Sequence, residues 1–379
     1  MKNKTLIYSL ALILAFTFSA LAQTQTDAHV RLLRVPNDGL QPQAVLDQRG
    51  VLHLIYFKGE AGGGDVYYVR REAGGATFTA PLRVNSVAGS AVATGTIRGA
   101  QLALGKNGRV HVAWNGVNKP DGPETPMWYA RMNEARNGFE PQRNVMQFAG
   151  GLDGGGSVAA DAAGHVYVVW HGRGDQPGEA QRRVWVARSA DDGKTFARET
   201  AAWNEPTGVC GCCGLRAFVD GRGRLHVLYR AATKTVNRDM YWLVSDNHGQ
   251  SFTGRLLDKW EINGCPMSSA MLAEGAAGVT AAWETQGQVY FAPQSAKTPI
   301  AATSVAGKNR HPALAVNARG ETLLVWTEGT GWKRGGALAW QRYNAPGQPL
   351  GERGATQGIP VWSFAAAIAE KDGGFTIIY

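Results

Sequence analysis

The chain has 379 residues, 44% of them hydrophobic and 18% charged, with a formal net charge of +9. The ordinary apolar fraction excludes a disordered chain, and basic residues scattered among strands and turns, with no stripe, exclude a nucleic-acid-binding surface. Its 49 glycines punctuate many short apolar runs, which points to an all-β protein.

Lys2 and Lys4 precede an apolar run over residues 6–21, and Ala20-Leu21-Ala22 places small residues where a signal peptidase reads them. Residues 1–22 are therefore expected to be a secretory signal peptide, and residues 23–379 one exported domain, periplasmic or extracellular. No Cys follows the run to carry a lipoprotein anchor, and no later apolar stretch is long enough to span a bilayer, so no membrane insertion is expected. Val30 to Pro36 reads as an outer strand with no unit before it.

From there the chain repeats. Residues 44–57, 102–114, 158–170, 217–229, 314–326 and 367–379 share one form: a small apolar run, a polar Gly turn, then alternating apolar residues that end in an aromatic. Each reads as a β-hairpin, and residues 270–292 form a shortened version with Trp283 at the strand end. Third strands follow over residues 66–70, 128–131, 184–188 and 240–244, then a turn, then a fourth strand. A period of roughly 45 to 60 residues is that of four-stranded propeller blades. The last unit stops after two strands, so the N-terminal strand is expected to complete it. The fold class is thus an all-β propeller of antiparallel four-stranded blades, seven in number and closed by the N-terminal strand, with six blades and a separately packed tail as the alternative.

The turns between third and fourth strands keep an eight-residue frame. Its full version is Ser189-x-Asp191-x-Gly193-x-x-Phe196, and Ser245-x-Asn247-x-Gly249-x-x-Phe252 repeats it with Asn for Asp. Eroded copies span residues 71–78 and 343–350, which keep Gly75 and Gly347, and 132–139. Ser and Asp side chains can bond nearby backbone N–H groups, Gly allows positive φ, and the ring pins the turn to the sheet, so these are structural positions.

Chemistry is expected on the opposite face, where the loops leading into each innermost strand meet the loops between second and third strands. The lead-in loops offer Arg98, Trp203, Glu205, Trp260, Glu261, Arg310 and His311; the middle loops offer Lys58, Asn115, His171, Arg173, Arg230, Arg238, Asp239, Glu284, Glu328 and Trp332. Cys210, Cys212, Cys213 and Cys265 all fall on this face. In an exported chain an even count favours disulfides, and a pairing of adjacent Cys212 and Cys213 is strained, so Cys265 is expected to be tied to the Cys210–Cys213 cluster. A thiolate site for copper or zinc is the second reading, with no cofactor required by the first. His53, His111 and His226 share one register with Tyr167 and read as structural, as do Trp114, Trp170, Trp283 and Trp326 at strand ends. Trp203, Trp260 and Trp332 break the register and are candidates for stacking on a sugar.

The blade period and the two full turns resemble the Asp-box (BNR-repeat) propellers, whose best-known members are sialidases, also called neuraminidases; the Cys210-Gly-Cys-Cys and Cys265-Pro stretches mark a distinct exported branch. The resemblance implies three arginines that clamp a substrate carboxylate, a Tyr–Glu nucleophile pair and an Asp acid/base. The first family arginine has no counterpart at Gln41-Pro42-Gln43, so Arg98 and Arg310 are the positional substitutes, with Arg238 or Arg230 as the third, Asp239 as the candidate acid/base, Glu205, Glu261 or Glu284 as the candidate carboxylates and no Tyr–Glu pair in view. Two expectations follow: a noncatalytic, monomeric binding propeller for a glycan or other anionic small ligand, and, alternatively, an exo-sialidase-type glycoside hydrolase with a rearranged arginine cluster.

Overall fold

A computed structural model describes residues 29–117, 124–304 and 307–379; the signal peptide expected at 1–22 lies outside them. The described strands form seven sheets. Six are four-stranded and antiparallel, with strands consecutive in the chain from the innermost outward. The first blade, for example, runs Leu40–Leu46, Leu52–Glu60, Gly63–Arg71 and Leu82–Arg83. The shortened unit is a full blade, because Ile300–Ala301 adds a fourth strand to Ala270–Gly275, Gly278–Thr285 and Gln288–Pro293.

The seventh blade is where the ends meet, as expected, but with three strands. Val30–Leu33 pairs with Phe375–Ile378, which pairs with Ala366–Ala369. The N-terminal strand lies parallel to its partner, with Val30 opposite Phe375 and Leu33 opposite Ile378. Seven blades therefore replace the six-bladed alternative.

Alternation in the strands produces the packing. Outward-alternating apolar residues of one blade meet those of the next, so Val110, Val112 and Trp114 of the second blade pack with Ile55, Val66 and Tyr68 of the first. The strand-end tryptophans Trp114, Trp170, Trp283 and Trp326 are at most 1% exposed, which bears out their reading as packing residues. The innermost strands of all seven blades line a central cavity of about 340 Å³.

The two eight-residue turns share one geometry. Ser189 Oγ accepts from Gly193 N (2.9 Å) and Asp191 Oδ1 from Thr195 N (2.9 Å); Ser245 and Asn247 repeat the pattern with Gly249 N (2.9 Å) and Ser251 N (3.0 Å). Gly193 has φ +75°, and a Cβ there would overlap the Tyr129 hydroxyl of the preceding blade. Phe196 meets the same Tyr129 edge-on, with centroids 4.9 Å apart. The turn thus fastens one blade to its neighbour. His53 and His111 bond Tyr68 and Tyr129 hydroxyls at 2.8 and 2.7 Å, and His226 bonds Asp220 at 3.0 Å, so the histidine register is structural.

Candidate functional site on the loop face

The lead-in loops fold across the mouth of the channel and bond to one another. Gln41 Nε2 donates to Ala93 O and Trp362 O (both 2.7 Å), Leu215 N to Gly155 O (3.3 Å), Gly154 N to Gly211 O (2.6 Å), and Gly214 N to Ser268 O (3.0 Å). Seven residues of these loops and of the strand starts they feed, Asn37, Asp38, Gln41, Thr96, Met267, His311 and Trp362, hold φ between 49° and 67° without being glycine. Such backbone is costly for side chains with a Cβ and concentrates at sites under functional constraint. Gln41 and His311 occupy the same place in their blades, a bulge in the innermost strand.

Three clusters stand on this face. In the first, a Cβ added at Gly95 would meet Arg98 Nη1, Met267 Cε and Trp332 Cζ3 together, so these three side chains converge. Trp332 is 57% exposed and meets Trp362 edge-on at 4.7 Å, with exposed Val361 beside it. Arg98 is oriented by Asp153 (2.6 Å to the carboxylate, 2.8 Å to the carbonyl) and by Thr94 O.

The second cluster centres on Arg230, 1% exposed. Its Nε donates to Ser268 Oγ (2.7 Å), and its two terminal nitrogens donate to the carbonyls of Arg238 and Glu284. Trp260 lies under its guanidinium at 4.8 Å. Arg238 is paired with Glu179 (2.7 Å), whose other oxygen accepts from Gly211 N (2.7 Å) in the cysteine loop. Arg182 donates to His171 Nδ1 (2.7 Å), and His171 Nε2 is buried without a hydrogen-bond partner among the described residues. Burial, helped by the Arg182 charge, holds His171 well below the ordinary imidazole range.

In the third, Glu284 Oε2 accepts from His311 N (3.2 Å), and Arg310 donates to Pro266 O (3.3 Å) while its charge bears on both neighbours. Burial raises the Glu284 carboxyl to about 7 against the pull of Arg310, Arg230 and the His311 N–H. The same burial, with Arg310, lowers His311 to about 3.

Several residues named from the sequence take other places. Trp260 is 7% exposed beneath Arg230, and half-buried Trp203 packs against Tyr241 (5.7 Å) and over Gly254. Asp239 accepts from Trp260 N (2.9 Å), and exposed Glu261 accepts from Asn237 (3.2 Å). Arg98, Arg238 and Arg310 are each held by a different partner: Asp153, Glu179 and Pro266. Cys265 is bonded to Cys212, as the clustering favoured, while Cys210 and Cys213 are unbridged and buried.

Sequence reasoning missed Glu179, Arg182, Trp362 and Arg216. Arg216 interrupts the apolar run of its innermost strand, the one signal that could have flagged it. Its guanidinium reaches across the channel to the side-chain oxygens of Gln43 (3.0 Å) and Gln101, has no carboxylate partner among the described residues, and is pulled to about 10 by removal from water.

The architecture has known counterparts. The chain is similar to a polysaccharide lyase, a PL25 ulvan lyase solved with -[GlcA(1-4)Rha3S]- (TM-score 0.53, 12% identity, 88% of each chain). It is also similar to a fungal alcohol oxidase of the AA5 family in complex with copper (0.52, 11%, 89% of this chain and 69% of that one). A third is the Hadza microbial sialidase Hz136 (0.50, 15%, 80% and 68%). At such identity the likeness is one of fold. No protein-family profile and no curated protein matches the sequence.

Proposed function

We propose that this is an exported, noncatalytic propeller that binds a glycan or related anionic small ligand on its loop face, at Trp332, Trp362 and Arg98. The observation that carries the reading is the convergence at Gly95: a largely exposed indole braced edge-on by a second one, with an oriented guanidinium beside it. Aromatic faces stack on the apolar faces of sugar rings, and a guanidinium bonds carboxylate or sulfate groups in a fixed plane. Similarity to a sialidase and to a lyase solved with a uronate-containing sulfated saccharide supports this ligand class. Two of the carboxylates named for catalysis weigh toward binding: Asp239 is bonded to backbone, and Glu284 is 1% exposed.

The test is calorimetric titration with sialyllactose and with a sulfated uronate oligosaccharide, alongside a fluorogenic sialoside turnover assay. Binding that Trp332→Ala weakens at least tenfold, with no turnover, is the expected result. Turnover abolished by Asp239→Asn would replace this reading with the hydrolase, and undiminished binding by Trp332→Ala would move the site elsewhere.

A further inference from the structure

Beneath the Cys212–Cys265 bridge lie two more sulfurs. Cys210 Sγ and Cys213 Sγ are 2.6 Å apart, closer than two unbonded sulfurs rest and nearer to the bonded separation of about 2.05 Å. Cys210 Sγ is also 3.6 Å from Cys212 Sγ. The four sulfurs therefore form one continuous row that begins at exposed Cys265, passes half-buried Cys212 and ends at Cys210 and Cys213, 0% and 2% exposed.

The surroundings favour thiolate chemistry at the buried end. Cys210 N donates to Arg230 O (2.8 Å), Ser268 Oγ donates to Cys213 Sγ (3.5 Å), and the same Ser268 oxygen accepts from Arg230 Nε. Burial resists charge on Cys213, but the Cys210 hydrogen bond, the Arg230 charge and the Ser268 hydrogen bonds outweigh it and hold its thiol below the ordinary range, while Cys210 is pushed up by that same bond and by burial. The favoured form thus keeps the proton on Cys210 and the charge on Cys213, with the two sulfurs 2.6 Å apart and within reach of proton exchange.

We propose that the four cysteines are a thiol–disulfide relay, in which the surface bridge Cys212–Cys265 is handed inward to Cys210 and Cys213. The Cys210 proton passes to Cys213 across their 2.6 Å contact, and the Cys210 thiolate so formed attacks Cys212 Sγ; the Cys210–Cys212 bond forms, the Cys212–Cys265 bond breaks, and Cys265 leaves as a thiolate that takes up a proton from solvent. Cys213 then gives up that proton and attacks Cys210 Sγ, forming Cys210–Cys213 and releasing Cys212, which takes the proton. No electrons have left the protein: one S–S bond has moved. A disulfide oxidant from outside, RSSR, then reoxidises Cys212 and Cys265 and is itself reduced to two RSH. The fully oxidised protein carries two bridges, and the one in the structure described here is the two-electron-reduced form.

The experiment uses the mature protein, reduced under native conditions, freed of reductant and reoxidised with glutathione disulfide. Samples are quenched with acid, alkylated and mapped by tandem mass spectrometry. The expected result is a transient Cys210–Cys212 linkage followed by Cys210–Cys213 and Cys212–Cys265 with no alkylated thiol. Cys212→Ser should slow Cys210–Cys213 formation at least tenfold, whereas Cys265→Ser, which leaves Cys212 able to form a mixed disulfide with glutathione, should stay within threefold. Cys210 and Cys213 that remain fully alkylated in oxidised wild type, or pair in folded Cys212→Ser as fast as in wild type, would overturn the relay. If circular dichroism shows Cys212→Ser unfolded, the wild-type trapping decides, and absence of the Cys210–Cys212 linkage at every quench time overturns it.

Discussion

Replacing Glu284 by Gln probes the charge balance beneath the loop face. The carboxyl is 1% exposed; burial lifts it from 4.5 to about 7, with Arg310, Arg230 and the His311 N–H pulling the other way. The folded protein keeps this proton up to neutral pH, while the unfolded chain releases it near 4.5, so folding takes up a proton in between. Its contribution to stability is fully present below 4.5 and is lost as pH rises through 7. Linkage puts that loss at about 2.5 kcal/mol between pH 5 and pH 8. Gln keeps the shape and can still accept from the His311 N–H, but carries no charge. The variant should lie within about 1 kcal/mol of wild type at pH 5, and gain about 2.5 kcal/mol on it by pH 8. Urea unfolding followed by tryptophan fluorescence at pH 5, 6, 7 and 8 measures the difference. A difference that stays constant with pH, or that favours wild type at pH 8, refutes the reasoning.

His311 should show the opposite sign: with its folded value lowered to about 3 it stays neutral while the unfolded chain protonates near 6.5, so it removes about 2 kcal/mol on acidification from pH 8 to 5. His311→Asn, which tolerates the positive φ, should lose that part of the acid sensitivity in the same urea series. Cys265→Ser opens a bridge between residues 53 apart in sequence, and chain entropy sets its cost at up to about 4 kcal/mol, read as a lower urea midpoint at pH 7. An unchanged midpoint would show that the bridge leaves the unfolded chain as free as before. Gly193→Ala should cost more than the roughly 1 kcal/mol of an ordinary positive-φ glycine, because the new methyl overlaps Tyr129; adding Tyr129→Phe should recover part of the loss in a double-mutant cycle.

Most of the ring was legible because it is periodic. Second strands that end in Trp114, Trp170, Trp283 and Trp326 mark four blades, and the Ser189 and Ser245 turns can be read without any long-range partner, since Gly193 and Gly249 sit four residues from the Ser that holds them. The three-stranded seventh blade was half legible: the missing strand was identified, its parallel pairing was not, because pairing direction leaves no mark in four residues. The loop face was harder. Arg238 finds Glu179 and Arg98 finds Asp153 across gaps of 59 and 55 residues, in loops that share no repeat. Trp260 and Trp332 look alike in sequence; only the position of Arg230 makes one an anchor and leaves the other exposed.

The seventh blade also fixes the order in which the molecule can be completed. Val30 meets Phe375 and Leu33 meets Ile378, so the final sheet joins segments about 345 residues apart, while every other sheet is built from neighbours along the chain. Local blades can assemble as the chain lengthens, but the ring must stay open, with the apolar faces that the first and sixth blades turn toward the seventh uncovered, until residues 375–378 exist. Joining ends so distant carries a large loop-closure entropy when the intervening chain is loose and little when six blades already bring the ends together. The propeller is therefore a latch that closes last, and a truncation of only four C-terminal residues should harm it more than the loss of an equal stretch from any surface loop.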